Sequence, residues 1–152
     1  MSDTNDPMAE IRASFFIECE ELLEALQDGL QLLYDGADDT ETINVVFRAV
    51  HSIKGGAGAF GLEALVRFAH RFETVLDEIR SDRMSASAEG LKVFFQCADH
   101  LSDLVRISRD AGDLPDEKTA ELRGELDKLM GEEGASAHDG PEPEEDIEFQ
   151  PA

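Results

Sequence analysis

Apolar residues recur at steps of three and four along most of this chain, and no stretch of strand length alternates apolar with polar. That spacing follows the roughly 3.6-residue turn of an α-helix, whereas a half-buried strand repeats every second residue. The chain is therefore confined to an all-α fold in which each helix buries one stripe. The first run places Ile11, Phe15, Cys19, Leu22, Leu26, Leu30 and Leu33 on one face between Pro7 and Tyr34. Asp6 and Pro7 suit an N-cap and first turn, and Gly36 supplies the stop.

Asp38-Asp39-Thr40 opens a second run through Ile43, Val46, Phe47, Val50, Ile53 and Ala57, and its glycine-rich end, Gly55 to Gly61, predicts a helix terminus near Phe60. A third helix runs from Leu62 to about Asp82 with Leu62, Leu65, Phe68, Ala69, Phe72, Leu76 and Ile79 on its stripe, and Arg80 and Arg83 at its electronegative end. A fourth starts after Ser85 or Ser87, carries Leu91, Phe94, Phe95, Ala98, Leu101, Leu104 and Ile107, and stops at Gly112. Pro115-Asp116 opens a shorter fifth with Leu122, Leu126 and Leu129. The expected architecture is an antiparallel up-and-down four-helix bundle with a fifth, C-terminal helix docked beside it.

At 152 residues the chain has room for one domain and its trimmings. After Met130 the composition turns to Gly, Pro, Ala and acid, with eight acidic residues and no Lys or Arg between Gly131 and Ala152. Such a segment cannot bury enough apolar surface to fold. We expect a domain over residues 1–131 and an acidic linker over 132–152. The formal net charge of -22 repels nucleic acid and anionic lipid surfaces, so neither is an expected partner. No apolar run has the length of a membrane span, and the acidic start, Met1 to Asp6, is unlike a signal peptide. The expected location is the cytoplasm. Cys19 and Cys97 lie on separate helical segments, which suits small buried residues better than a disulfide.

The second helix is chemically unusual. His51, Lys54, Gly55 and Gly58 share its polar side, where a solvated helix would carry Glu and Arg. The bland alternative is a surface histidine with glycines that admit a close helix neighbour, and the second helix alone does not decide between the readings. The third helix adds His70 and Glu73, three residues apart on one face. Counted outward from the turn at Gly61, His51 lies ten residues back and His70 nine forward, so antiparallel packing brings them to similar heights, with Glu73 one turn beyond.

The run His51-Ser52-Ile53-Lys54-Gly55-Gly56-Ala57-Gly58-Ala59-Phe60-Gly61, followed by Leu65, His70-Arg71-Phe72-Glu73 and Asp77-Glu78-Ile79-Arg80, resembles the phosphohistidine motif of histidine phosphotransfer (HPt) domains. Within them it resembles the N-terminal phosphotransfer domain of CheA-type chemotaxis histidine kinases. The resemblance implies the HPt fold and a phosphoryl group carried on Nε2 of His51. It implies delivery by an ATP-binding histidine kinase domain, in cis or in trans, and transfer to an aspartate of a CheY-like response regulator. Glu73 would orient His51 by accepting the Nδ1 proton. Lys54 would offer positive charge to the phosphoryl oxygens, and His70 would extend the hydrogen-bond network. Gly55, one turn from His51, and Gly58 would lie where a partner docks. ATP and magnesium would be used by the kinase domain, with no cofactor bound here.

No glycine-rich nucleotide loop or Walker signature is present, so the chain is not expected to be a kinase on its own, and what the resemblance implies is the phospho-accepting domain of a CheA-type histidine kinase. Two other readings remain open on the residues. Two histidines and a glutamate are also a zinc ligand set, although no Cys joins them and no second Glu-x-x-His pair exists. An acidic helical bundle could also serve only to bind other proteins. His100, among Asp99, Ser102 and Asp103, and His138 are expected to be solvated bystanders.

Overall fold

The computed structural model describes residues 7–37 and 39–131. They form α1 (Pro7–Tyr34), α2 (Thr40–Ala59), α3 (Glu63–Arg80), α4 (Ala88–Asp110) and α5 (Asp116–Gly131), with no strand among the described residues. Consecutive helices pack through short turns, α1 closes the ring against α4, and α5 leans on α3 and α4. This is the expected four-helix bundle with a fifth helix beside it. Among the described residues no helix is long and apolar enough to cross a membrane.

Side-chain caps set two of the boundaries. Asp39 accepts from the Thr42 backbone N–H at 3.1 Å to start α2, and Ser87 accepts from that of Gly90 at 3.0 Å to start α4. The Asp6 cap proposed for α1 lies outside the described residues. At the end of α4 the left-handed residue is Ala111 (φ 56°), not Gly112, whose N–H donates instead to the Ile107 carbonyl at 3.0 Å. Helix α3 ends at Arg80, short of Asp82, because Asp82 turns into the left-handed region (φ 63°) and releases the chain toward α4.

The core centres on Phe68, Phe72 and Phe94, which stack in tilted pairs, with Leu26, Leu30, Ile53, Leu65, Leu76 and Leu101 around them. Burying each such side chain contributes roughly 1.5–3 kcal/mol. Cys19 and Cys97 are free thiols within this core, and burial pushes each up to about 12, so neither offers a thiolate. Two of the sequence-level stripes shift. Ile11 is 55% exposed, while Phe15 and Phe16, one turn on, are buried. On α5 Met130 is buried while Leu129 only borders the core, a rotation of one position.

The α1–α2 contact matters for the site because it fixes the back of α2. Gly29 on α1 faces Val46, and Gly56 on α2 faces the Phe15 ring so closely that a Cβ at either glycine would overlap that neighbour. The two helices therefore approach through glycine, and this close seam turns the opposite side of α2 toward α3 and solvent.

Candidate functional site

The turn between α2 and α3 is tight: Gly61 has φ 68°, and the Leu62 N–H returns to the Ala57 carbonyl at 3.0 Å. The glycine-rich segment thus ends α2 and folds α3 back along it, bringing residues ten to twelve positions either side of Gly61 together. His51 Nδ1 lies 2.5 Å from Glu73 Oε2, and Lys54 Nζ lies 2.6 Å from Glu73 Oε1. His70 Nδ1 stands 4.0 Å from the same Oε1, close enough for charge but beyond a direct hydrogen bond.

One carboxylate therefore gathers three cationic or proton-donating groups. Glu73 is 8% exposed, a burial that such a group tolerates only when paired. The His51 side chain is 57% exposed. Because an ionised carboxylate only accepts, Nδ1 carries the proton toward Glu73 and the lone pair remains on Nε2. The result is a solvent-facing imidazole with a nucleophilic nitrogen, held from behind by a buried anion.

Lys54 adds a contact that the sequence did not specify. Its side chain is only 14% exposed and its ammonium is engaged with Glu73, so in the unphosphorylated chain its charge balances the carboxylate. Gly55 has open space where a side chain would stand, and Gly58 is exposed. Among the described residues no group of three or more His, Cys, Asp or Glu has the geometry to hold a metal ion.

His100 is not solvated. It is 3% exposed, shares a 2.7 Å hydrogen bond with Thr119 Oγ1 on α5 and meets the Phe68 ring edge-on at 5.0 Å. The polar residues beside it in sequence point elsewhere. Cys97 and Leu104, one turn away on either side, are buried with it on the same face of α4. His138 lies outside the described residues.

Two residues at the site were not singled out from the sequence. The Phe47 ring lies 5.8 Å from that of His51 with 12° between their planes, and the Arg80 guanidinium stands 3.8 Å from the Phe47 ring centre. The spacing of four from His51 was a signal for Phe47, but an apolar residue there reads equally as core.

Residues 10–132 match the Hpt domain family. The chain is 48% identical over 146 residues, 94% of its length, to chemotaxis protein CheA of Cereibacter sphaeroides, and 52% identical over 126 residues, 83% of its length, to CheA of Rhizobium meliloti (strain 1021). It spans only 21% and 17% of those two proteins. In fold it is similar to the crystal structure of the phosphorylated P1 domain of CheA3 in complex with CheY6 from R. sphaeroides, with a TM-score of 0.75 at 23% identity, covering 82% of this chain and 98% of that one. The five-helix architecture, the match over nearly all the described residues and these relatives agree: the chain belongs to the Hpt domain family.

Proposed function

We propose that this chain is a phosphohistidine carrier in chemotaxis signalling, which accepts the γ-phosphoryl of ATP on Nε2 of His51 from a histidine kinase catalytic domain and passes it to an aspartate of a CheY-like response regulator. The observation that carries this reading is the 2.5 Å bond between His51 Nδ1 and Glu73 on an imidazole otherwise open to solvent. With the proton held on Nδ1, the Nε2 lone pair attacks phosphorus directly and no base is needed to free it. The Nε2–P bond forms as the bond to the ADP leaving oxygen breaks. Positive charge grows on the ring during this step and is met by the Glu73 carboxylate. In the second step a carboxylate oxygen of the regulator attacks phosphorus, the Nε2–P bond breaks, and its electron pair returns the ring to the neutral tautomer.

Lys54 and His70 complete the role by holding Glu73 in place and adding positive charge near the phosphoryl oxygens, and Gly55 and Gly58 keep the approach to Nε2 low. We assign this function to residues 1–131 and a linker role to 132–152. In this reading ATP and magnesium belong to the kinase domain, which sits on the same polypeptide or another, and the chain works in the cytoplasm. The length of the CheA relatives supports a kinase in cis, and the CheY6 bound to the CheA3 P1 domain supports a regulator of that type as acceptor. The test is incubation with a CheA kinase domain and labelled ATP. Acid-labile, base-stable label on the parent chain and none on His51→Gln is expected, and a parent chain that takes up no label overturns the assignment.

A further inference from the structure

The bond to Glu73 fixes His51 at one atom, and a hydrogen bond at a single ring nitrogen leaves the imidazole plane free to tilt about it. The remaining restraint comes from Phe47. Its ring lies one helical turn before His51 and faces it nearly parallel, 12° from coplanar at 5.8 Å, within the range of offset aromatic stacking. Phe47 is itself held from α3. The Arg80 guanidinium stands 3.8 Å from its ring centre, and Arg80 is tied to Asp77 Oδ1 by bonds of 2.6 Å from Nη2 and 3.1 Å from Nε. Helix α3 therefore reaches His51 twice, once through Glu73 to the ring nitrogen and once, two turns later, through Arg80 to the ring face. We propose that Phe47 is a positioning residue for phosphoryl transfer at His51, clamping the imidazole plane, and that Arg80 acts through it.

The inference rests on His51 being the phosphoryl acceptor. Transfer demands an attacking nitrogen nearly in line with the leaving oxygen, and misplacement by about 1 Å can cost a hundredfold. A ring free to tilt spends less of its time with Nε2 on that line. Phe47 is only half-buried, although it borders the core, so a purely structural role would show in stability rather than in turnover.

The test measures kcat and KM for phosphoryl uptake by the whole chain from a CheA kinase domain, together with melting temperature. In Phe47→Leu the flat face is lost while apolar bulk is kept, and kcat is expected to fall roughly tenfold, the lower end of the range for losing a group that orients a reactive histidine, with KM nearly unchanged. Phe47→Tyr should restore it. Arg80→Ala, at a surface position whose removal leaves the core intact, should lower kcat in the same direction, and the double variant should be no slower than Phe47→Leu alone because both act through one stack. An unchanged kcat in Phe47→Leu overturns the proposal, as does a change confined to KM, which would make Phe47 a docking contact, or a loss that Tyr does not rescue. The parent chain and His51→Gln run alongside. An unlabelled parent removes the carrier function and this inference with it, whereas a labelled parent with unaffected Phe47 variants removes this inference alone.

Discussion

His51 Nδ1 and Glu73 Oε2 meet at 2.5 Å across the α2–α3 interface, 22 residues apart in sequence. The same carboxylate holds Lys54 through its other oxygen, so its removal both frees the imidazole tautomer and breaks an ion pair at a largely buried ammonium. Glu73→Ala should slow phosphoryl uptake roughly 10–100-fold without abolishing it, the cost known for losing the carboxylate behind a metal-bound histidine, which holds the ring in the same way. It should also lower stability, because the 2.6 Å ion pair between Lys54 and a largely buried carboxylate is lost. Initial rates with a CheA kinase domain, followed by thermal melts on the same preparation, check both parts. A variant with the parent rate removes Glu73 from the mechanism.

His51→Gln separates chemistry from folding. The side chain is more than half exposed, and its ring touches the domain only through Glu73 and Phe47 among the contacts described above. The variant gives up the imidazole bond to Glu73, at a cost of roughly 0.5–1.5 kcal/mol, while Lys54 stays paired to that carboxylate. We expect complete loss of label with an unchanged circular dichroism spectrum and a melting temperature within a few degrees of the parent. Label retained on the variant would move the phosphosite to another residue.

His100 gives the bundle an acid-side dependence. Burial holds its imidazole below the ordinary value of 6.5, Lys118 adds to that shift and Asp103 opposes it. A histidine whose folded-state value is depressed is neutral in both states above pH 6.5, so it sets no slope there. As the pH falls below 6.5 the unfolded chain binds the proton first, and stability declines until the folded form can also accept it. The parent should therefore lose more melting temperature between about pH 7 and pH 5.5 than His100→Gln does, since only the parent carries this titration. Equal losses in the two proteins would show that His100 does not couple α4 to α5 through its neutral form.

Much of this site could be reached from residue spacing, and the exceptions have specific physical causes. The periodicity of α2 and α3 and the glycine-rich turn sufficed to bring His51, His70 and Glu73 to one level, because short turns leave consecutive helices little choice but to run back along each other. The order of contacts within the site was less legible: counting heights favoured His70 opposite His51, whereas the side chains put Glu73 there. Lys54 was assigned to the phosphoryl oxygens, and its ion pair with Glu73 was not legible, because sequence gives no sign of where a long flexible side chain settles. Phe47 and Arg80 each had a sufficient ordinary explanation, as core stripe and as charge at a helix end, and only the folded chain shows that Arg80 lies on the ring that stacks against His51. His100 was misread from its sequence neighbours rather than from its helical neighbours.

The glycines of α2 illustrate the same limit and supply the sharpest test. Gly55 and Gly56 are adjacent, and composition cannot tell which of them serves packing and which serves access. A Cβ at Gly56 would run into the Phe15 ring of α1, whereas one at Gly55 meets nothing within contact distance. Gly56→Ala should therefore force Phe15 or α2 to shift and destabilise the domain by about 1–3 kcal/mol, the usual cost of overpacking. Gly55→Gln should fold at least as stably as the parent, because replacing a mid-helix glycine recovers backbone entropy of order 0.5–1 kcal/mol. Its side chain would stand one turn beyond His51, on the surface that an acceptor aspartate must approach nearly in line with phosphorus. If Gly55 is kept for docking, Gly55→Gln should accept and hold its phosphoryl group yet deliver it to a CheY-like regulator much more slowly, with an unaltered melting transition. Melting temperature and transfer rate measured on one sample decide the matter, and a destabilised Gly55→Gln with normal transfer would return Gly55 to a packing role.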